Sequence, residues 1–533
     1  MKPELLSSLA HYNKKSLFSD MFAGLIVALV ALPLSVALGL QSEMTLQAGL
    51  VSAIIGGFFI ASLGGARFSI GGPSATFLVV IVGYVHQEGI GLTGTHMIIM
   101  LAGVILVVAG LCRAGKLLRF VPYPIVIGFT AGIGVILLCG QLKDLLGLVP
   151  ASNPPELIPK LIAYVRATST LNPAAMLIGF FTLWLIFFLP KISKKIPTYL
   201  VALVAAGLLT AGLNALFGAD SPNTILTIGG KYGEIKPEIR IIDFSAFGSL
   251  TWSALVMPAF LVALLSALEG LLSATVADGM SNLIHDPNME LIGHGIANLG
   301  TGLAGGLPVT GVIARTSVNI ESGAKTSMAG VFHALFVLVM FLALMPVIRF
   351  IPFAALAAIL VKVAIAMSKF PLFAKFLTFG IRDAVVLAAT FLLTVLWGVA
   401  QGVLIGLALA FAVNIQNFLP ARRLRVEPVT LDKVGGGAKF ARREGYALLQ
   451  VRGAVFFISI NKLVHAVIDA ARQYDEVIVD MEHSTRIDAT SVERLAKRAK
   501  ILAREGKHLV LHNLSPRHAA RYRRAFEHII IKW

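Results

Sequence analysis

The sequence predicts an α-helical polytopic membrane protein, with fourteen membrane segments in a 7+7 inverted repeat and a small α/β domain at the C-terminus. Three observations predict it. The 533-residue chain is 57% hydrophobic and 14% charged, with a mean hydropathy of +0.83. That is more apolar surface than a soluble core of this size requires. Two Gly/Pro-broken apolar segments answer each other across the halves: Phe68-Ser69-Ile70-Gly71-Gly72-Pro73-Ser74-Ala75-Thr76 and Gly305-Gly306-Leu307-Pro308-Val309-Thr310-Gly311. After Leu419 the composition changes abruptly.

Apolar stretches of about 17–25 residues, long enough to cross a bilayer, recur from Met21 to Leu419. They read as segments 21–40, 46–63, 73–86, 94–113, 121–141, 174–190, 197–217, 253–272, 290–305, 308–320, 327–348, 351–368, 382–398 and 400–419. The third and tenth are short and broken at their starts. Charge tests this order. With residues 1–20 in the cytoplasm, Lys14, Lys15, Arg67, Arg113, Lys116, Arg119, Lys191, Lys194 and Lys195 fall inside. So do Lys369, Lys375, Arg382, Arg422, Arg423 and Arg425. The short outer loops at Ser42-Glu43, Gln87-Glu88 and Gly398-Gln401 carry no Lys or Arg, as the positive-inside rule demands. Segments 147–173 and 218–250, rich in Pro, Gly, Asn and Asp, read as outer loops.

Each half, about 21–217 and 253–419, holds an odd number of spans. Similar units of seven must therefore insert with opposite topology. A second pair of motifs keeps the same order: Arg119-Phe120-Val121-Pro122-Tyr123 and Arg349-Phe350-Ile351-Pro352-Phe353. Corresponding interrupted segments point to a secondary transporter with its site where the broken helices meet. The net charge of +17 resides in short loops and the tail, so membrane orientation accounts for much of it and nucleic acid is not expected as a partner. Cys112 and Cys139 suggest neither a disulfide framework nor a metal site. No nucleophile constellation or phosphate loop appears, so no enzyme and no cofactor are expected.

Residues 420–439 read as a linker and 440–533 as the α/β domain. An apolar strand-like run covers 447–460, and Glu476-Val477-Ile478-Val479-Asp480-Met481 reads as a buried strand. Ile487-Asp488-Ala489-Thr490-Ser491 turns into a charged helix from Val492 to Glu505, and His508-Leu509-Val510-Leu511-His512 is a further strand. The basic stretch Arg517, Arg521, Arg523 and Arg524 reads either as a contact with anionic lipid headgroups or as a solvated helix face.

Together these motifs resemble the SulP family, the sulfate-permease-like anion transporters. The resemblance rests on Gly72-Pro73-Ser74, Glu269-Gly270-Leu271-Leu272-Ser273, Gly306-Leu307-Pro308-Val309-Thr310-Gly311, Arg315-Thr316-Ser317 and Gly323-Ala324-Lys325-Thr326. The tail resembles a STAS domain, with Asp480 ending a strand and Asp488-Ala489-Thr490-Ser491 at the family's Asp-Ser-Ser-Gly turn. Membership implies a fold shared with nucleobase transporters, a homodimer among membrane lipids, and elevator-type motion of a core (spans 1–4 and 8–11) against a gate (5–7 and 12–14). The expected location is a bacterial inner (plasma) membrane, with both termini cytoplasmic as the charge distribution indicates. Thr490 stands at the phosphorylated position of regulatory STAS proteins, but Ala489 and Ser491 depart from that pattern.

For an anion at the bilayer midplane, helix N-termini supply dipoles and free N–H groups. Ser74, Ala75 and Thr76 follow Pro73; Val309, Thr310 and Gly311 follow Pro308. Hydroxyls of Ser74, Thr76 and Thr310 add donors, and Gln41 and Phe77 are read as cavity-lining. Glu269 is an ionisable group inside a span, with Ser266 and Ser273 on its helical face. It either carries a co-transported H+ or joins Ser273 around Na+. Arg315 neutralises the substrate or Glu269, or faces the cytoplasm. His333 reads as a packing histidine, and Asp278, His285 and Asp286 as loop residues. The sequence reading is therefore a secondary active transporter of small anions of the bicarbonate, sulfate or dicarboxylate class. Its rivals are a nucleobase–cation symporter on the same fold and a membrane-anchored STAS signalling protein.

Overall fold

The computed structural model describes the chain apart from residues 10–11, 88, 116–121, 155, 194–196, 219–220, 222, 234–235, 240, 243–251, 282, 369, 380, 423–424, 429–445, 457–458, 515–528 and 533. Two compact units form, one from Met1–Leu118, Gly132–Ser368 and Val395–Ala400, the other from Arg119–Ala131, Lys369–Thr394 and Gln401–Trp533.

The first unit opens with α1 (Glu4–Leu9), α2 (Lys14–Gln41) and α3 (Leu46–Leu63). Asn13 caps α2 by accepting the Ser16 N–H at 2.9 Å, and Thr45 caps α3 by accepting that of Ala48 at 3.0 Å. The first broken segment becomes a short strand, β1 (Gly71–Pro73), then α4 (Ala75–Val85) and α5 (Gly91–Leu111). There follow α6 (Tyr123–Leu146), α7 (Leu157–Arg166), α8 (Pro173–Ile192), α9 (Thr198–Phe217) and α10 (Ile228–Tyr232). The second half gives α11 (Trp252–Ser281) and α12 (Pro287–Leu303). Its broken segment becomes β2 (Val309–Gly311) and α13 (Ile313–Glu321), ahead of α14 (Met328–Ile348) and α15 (Phe353–Ser368). Helix α12 packs on α5 and α3, and α14 on α2 and α3. Among the described residues nine helices are long and apolar enough to cross a bilayer, and two shorter apolar helices, one of them α4, accompany them.

The segments expected as plain outer loops carry structure. Residues 147–173 include α7, which buries Tyr164. Within 218–250, the N–H groups of Ile228 and Gly229 at the start of α10 donate to Ile351 O (2.9 Å) and Arg349 O (2.8 Å). The second Arg-Phe-Ile-Pro-Phe motif is thereby tied down. Arg119, Phe120 and Val121 of its counterpart lie outside the described residues.

The second unit contains the start of α6, then α16 (Phe370–Phe379), most of α17 (Ile381–Trp397) and all but the start of α18 (Val399–Arg422). Its tail has β3 (Arg425–Pro428), β4 (Tyr446–Val455), α19 (Ile460–Gln473), β5 (Glu476–Asp480), β6 (Ser484–Ile487), α20 (Ala489–Arg504), β7 (His508–His512) and β8 (Ile529–Lys532). The sheet order is β3-β4-β5-β7-β8, with β6 also on β4. β3 pairs antiparallel with β4, so the expected linker contributes a strand. The other pairs are parallel. Val451, Val477, Val479, Leu495, Leu502 and Leu511 meet in the core. Helix α20 starts three residues before Val492 because Asp488 caps it, its Oδ1 accepting the Ser491 N–H at 3.0 Å. The basic residues 517–524 lie outside the described residues.

Candidate functional site

The two broken segments meet each other. β1 and β2 form an antiparallel ribbon with Gly71 opposite Gly311, Gly72 opposite Thr310 and Pro73 opposite Val309. Each strand runs into a short helix, α4 or α13, whose first-turn N–H groups have no partner within the helix. The helix dipoles add positive potential at those ends.

Helix α12 holds the ribbon. Asn298 Oδ1 accepts the Val309 N–H at 3.0 Å, and its Nδ2 donates to Val309 O at 2.8 Å. His294 Nε2 accepts the Gly311 N–H at 3.0 Å. One turn earlier, Glu290 Oε2 accepts the N–H groups of Gly65 and Ala66, both at 2.9 Å. All three side chains are buried. From α11, Ser266 Oγ donates to Val309 O at 2.9 Å, and Ser273 and Thr316 share a hydroxyl contact of 3.0 Å. Glu290 Oε1 and His294 Nδ1 have no hydrogen-bond partner among the described residues, so the buried ladder is satisfied only in part.

This geometry corrects part of the donor set expected from sequence. Val309 and Gly311 lie in an extended strand, and their N–H groups are spent on Asn298 and His294. The second helix starts at Ile313, which moves its open N–H groups to Ile313, Ala314 and Arg315. Thr310 is fully buried, and its hydroxyl donates to Ser266 O at 2.8 Å. Thr76 donates its hydroxyl to the Glu269 carboxylate. Ser74, half-buried, is the N-cap of α4, its Oγ accepting the Thr76 N–H at 3.4 Å. Ala75 and Phe77 are buried in the first turn of α4. Glu269 is half-buried beside α4, while Ser266 and Ser273 serve the ribbon and α13.

Arg315 is 1% exposed. Its Nη2 donates to Ser35 Oγ on α2 at 3.1 Å. Nη1 lies so close to β1 that a Cβ on Gly72 would stand 2.1 Å from it, which only glycine avoids. Among the described residues, Nε and Nη1 have no hydrogen-bond acceptor. A guanidinium buried at membrane depth is costly unless something compensates its charge.

Other expected residues lie elsewhere. Gln41 Nε2 donates to Asp144 Oδ2 at 2.7 Å and lines a separate cavity. His333 is buried beside Gly57, and among the described residues neither ring nitrogen has a hydrogen-bond partner. Asp278 belongs to α11 and contacts His285 at 2.6 Å, while Asp286 caps α12. Thr490 Oγ1 accepts the N–H of Tyr123, at the start of α6, at 3.3 Å. His294 and Asn298 were missed. Their signal was the i, i+4, i+8 spacing of Glu290, His294 and Asn298 along one face of an apolar span.

These features define a polytopic helical membrane protein organised around two crossed, interrupted segments, with an α/β tail domain. The chain belongs to the sulfate permease family, whose model matches residues 17–390, and the STAS domain model matches residues 438–529. It is 34% identical over 492 residues to the putative sulfate transporter YvdB of Bacillus subtilis, covering 90% of this chain and 88% of that protein. Against the bicarbonate transporter BicA of Picosynechococcus sp. the identity is 30% over 426 residues, 78% of this chain and 73% of that one. The solved transmembrane domain of a cyanobacterium bicarbonate transporter BicA matches at a TM-score of 0.66 and 30% identity, over 75% of this chain and 98% of that one. The overall structure of SLC26A9 matches in fold, at a TM-score of 0.69 and 18% identity over 99% and 91% of the two chains. The relatives are transporters rather than enzymes.

Proposed function

We propose that this protein is a secondary active transporter of a small anion of the sulfate, bicarbonate or dicarboxylate class, held where α4 and α13 face each other beside Arg315. The observation that carries this reading is the buried guanidinium next to the β1–β2 ribbon, two of whose donor nitrogens find no acceptor among the described residues. An oxyanion answers both its charge and its hydrogen bonds. The names of the relatives agree with this substrate class. A neutral nucleobase would leave the guanidinium uncompensated.

Transport proceeds by elevator-type alternating access in a homodimer, built from fourteen segments as a 7+7 inverted repeat. The protein sits in a bacterial inner membrane with both termini inside. Glu269 carries the coupling ion. A proton is the favoured coupling ion, with sodium held by Glu269 and Ser273 as the alternative. Uptake of labelled sulfate, bicarbonate and dicarboxylates into proteoliposomes, with and without proton and sodium gradients, tests this function. Labelled uracil is the counter-test; uptake of uracil without anion uptake would replace the anion reading.

A further inference from the structure

A cavity of about 720 Å³ lies among the turn after α2, the end of α6, and helices α7 and α10. Its lining includes Lys143, Lys160, Lys231 and Lys236 against Glu43, Asp144 and Glu238. Two of these carboxylates have well-defined partners. Glu43 contacts His86 and accepts from Asn153 Nδ2 at 3.3 Å. Asp144 accepts from Gln41 at 2.7 Å and stands 3.9 Å from the Lys143 ammonium. Lys231 lies over the rings of Phe353 and Tyr232 at 5.2 and 5.3 Å.

Lys160 is different. It is half-buried on α7 and, among the described residues, forms no ion pair within 4 Å. Burial pushes its ammonium below the ordinary lysine value, against the more distant attraction of Glu43, while Lys143 lowers it further. A partly desolvated cation beside a second one gains more from an incoming anion than a hydrated surface lysine does.

We propose that this cavity is a second binding site for a small oxyanion, centred on Lys160 with Lys143 beside it, distinct from the Arg315 site. The proposal rests on the anion-transport reading above, whose orientation puts the cavity on the outer side. There the site concentrates the anion ahead of the crossing and leaves access from the inner side unaffected.

The test compares wild type, Lys160→Gln and Lys160→Arg in right-side-out and inside-out vesicles, using labelled sulfate and bicarbonate at low salt. Lys160→Gln should raise the apparent KM at the outer face roughly three- to tenfold, as expected for loss of electrostatic concentration. Lys160→Arg should restore it, and the inner-face KM should not move. The difference should shrink at about 0.15 M salt, where the Debye length falls to about 8 Å. An unchanged outer KM in a Lys160→Gln protein that transports overturns the second site alone, as does an equal change at both faces. A wild type that carries neither of these anions nor a labelled dicarboxylate overturns both readings.

Discussion

His294 Nε2 accepts the Gly311 N–H at 3.0 Å. A ring nitrogen that accepts carries no proton, so the imidazole here is the tautomer protonated on Nδ1. The bond fixes the end of β2, and the space for it is made by Gly270, where a Cβ would lie 2.1 Å from His294 Cε1. His294→Leu strands a buried donor, at a cost of about 1–3 kcal/mol. Thermal unfolding of the purified protein should show a lowered midpoint and uptake should fall, with Gly270→Ala behaving alike and His294→Gln, which keeps an acceptor, recovering part of both. Identical midpoints across the series would remove the bond from the account.

Gly72 and Arg315 form a second close pair. Gly72→Ala places a methyl 2.1 Å from Nη1 and so displaces the guanidinium. Arg315→Met removes it. Both should weaken anion affinity by at least about tenfold, or 1.4 kcal/mol, measured as uptake against concentration. Arg315→Lys should recover little, because an ammonium cannot present the planar fork.

Glu269→Gln mimics the protonated carboxyl while keeping an acceptor for the Thr76 hydroxyl. The variant should lose its response to a proton gradient yet keep anion exchange. Wild-type pH dependence in this variant would take Glu269 out of the coupling step; a sodium-driven wild type without proton response would favour the sodium role.

His285 Nδ1 lies 2.6 Å from Asp278 Oδ2. Burial pushes the imidazole down, but the Asp278 hydrogen bond and the charges of Asp278, Glu290 and Asp286 outweigh it, so its pKa is raised above 6.5. A raised folded-state value means the contribution is full below the unfolded pKa and is lost as pH rises through the folded one. The stability margin of wild type over Asp278→Asn should therefore be largest at about pH 6 and shrink towards about pH 9. A margin that grows with pH would contradict the pairing.

Strand β3 pairs with β4 from Arg425 onward. A clean tail deletion therefore ends at Arg422; a cut at residue 440 leaves an unpaired edge strand that invites aggregation. The shorter chain should keep anion affinity within about tenfold, since both crossed segments lie before the tail. Complete loss of binding in a folded truncation would give the tail a part in the site.

Much of this was legible in the sequence. The Gly-Gly-Pro and Leu-Pro-Val breaks marked the crossing, and hydropathy marked most of the helices. Less legible was how the breaks pair. Proline at position 308 suggested a helix start at Val309, but the chain stays extended to Val312, because Asn298, His294 and Ser266 offer Val309 and Gly311 better partners than a first helical turn would. Those partners come from α11 and α12, and only a tertiary structure brings them to the ribbon. The hydroxyls of Thr76 and Thr310 were read as ligands for the same reason: a sequence does not say where a hydroxyl is spent.

In the proposed transporter the anion sits at the crossing, in front of the first turn of α4. Ser74 is the half-buried cap of that turn and holds no part of the α12 ladder, so a change there reaches the anion without disturbing the ribbon. The measurement is the affinity of Ser74→Leu for labelled sulfate and bicarbonate in proteoliposomes, with folding checked by thermal unfolding. A leucine there should crowd the site and lower affinity by at least about tenfold at a nearly unchanged unfolding midpoint. Wild-type affinity for both anions in the folded variant would place the anion elsewhere.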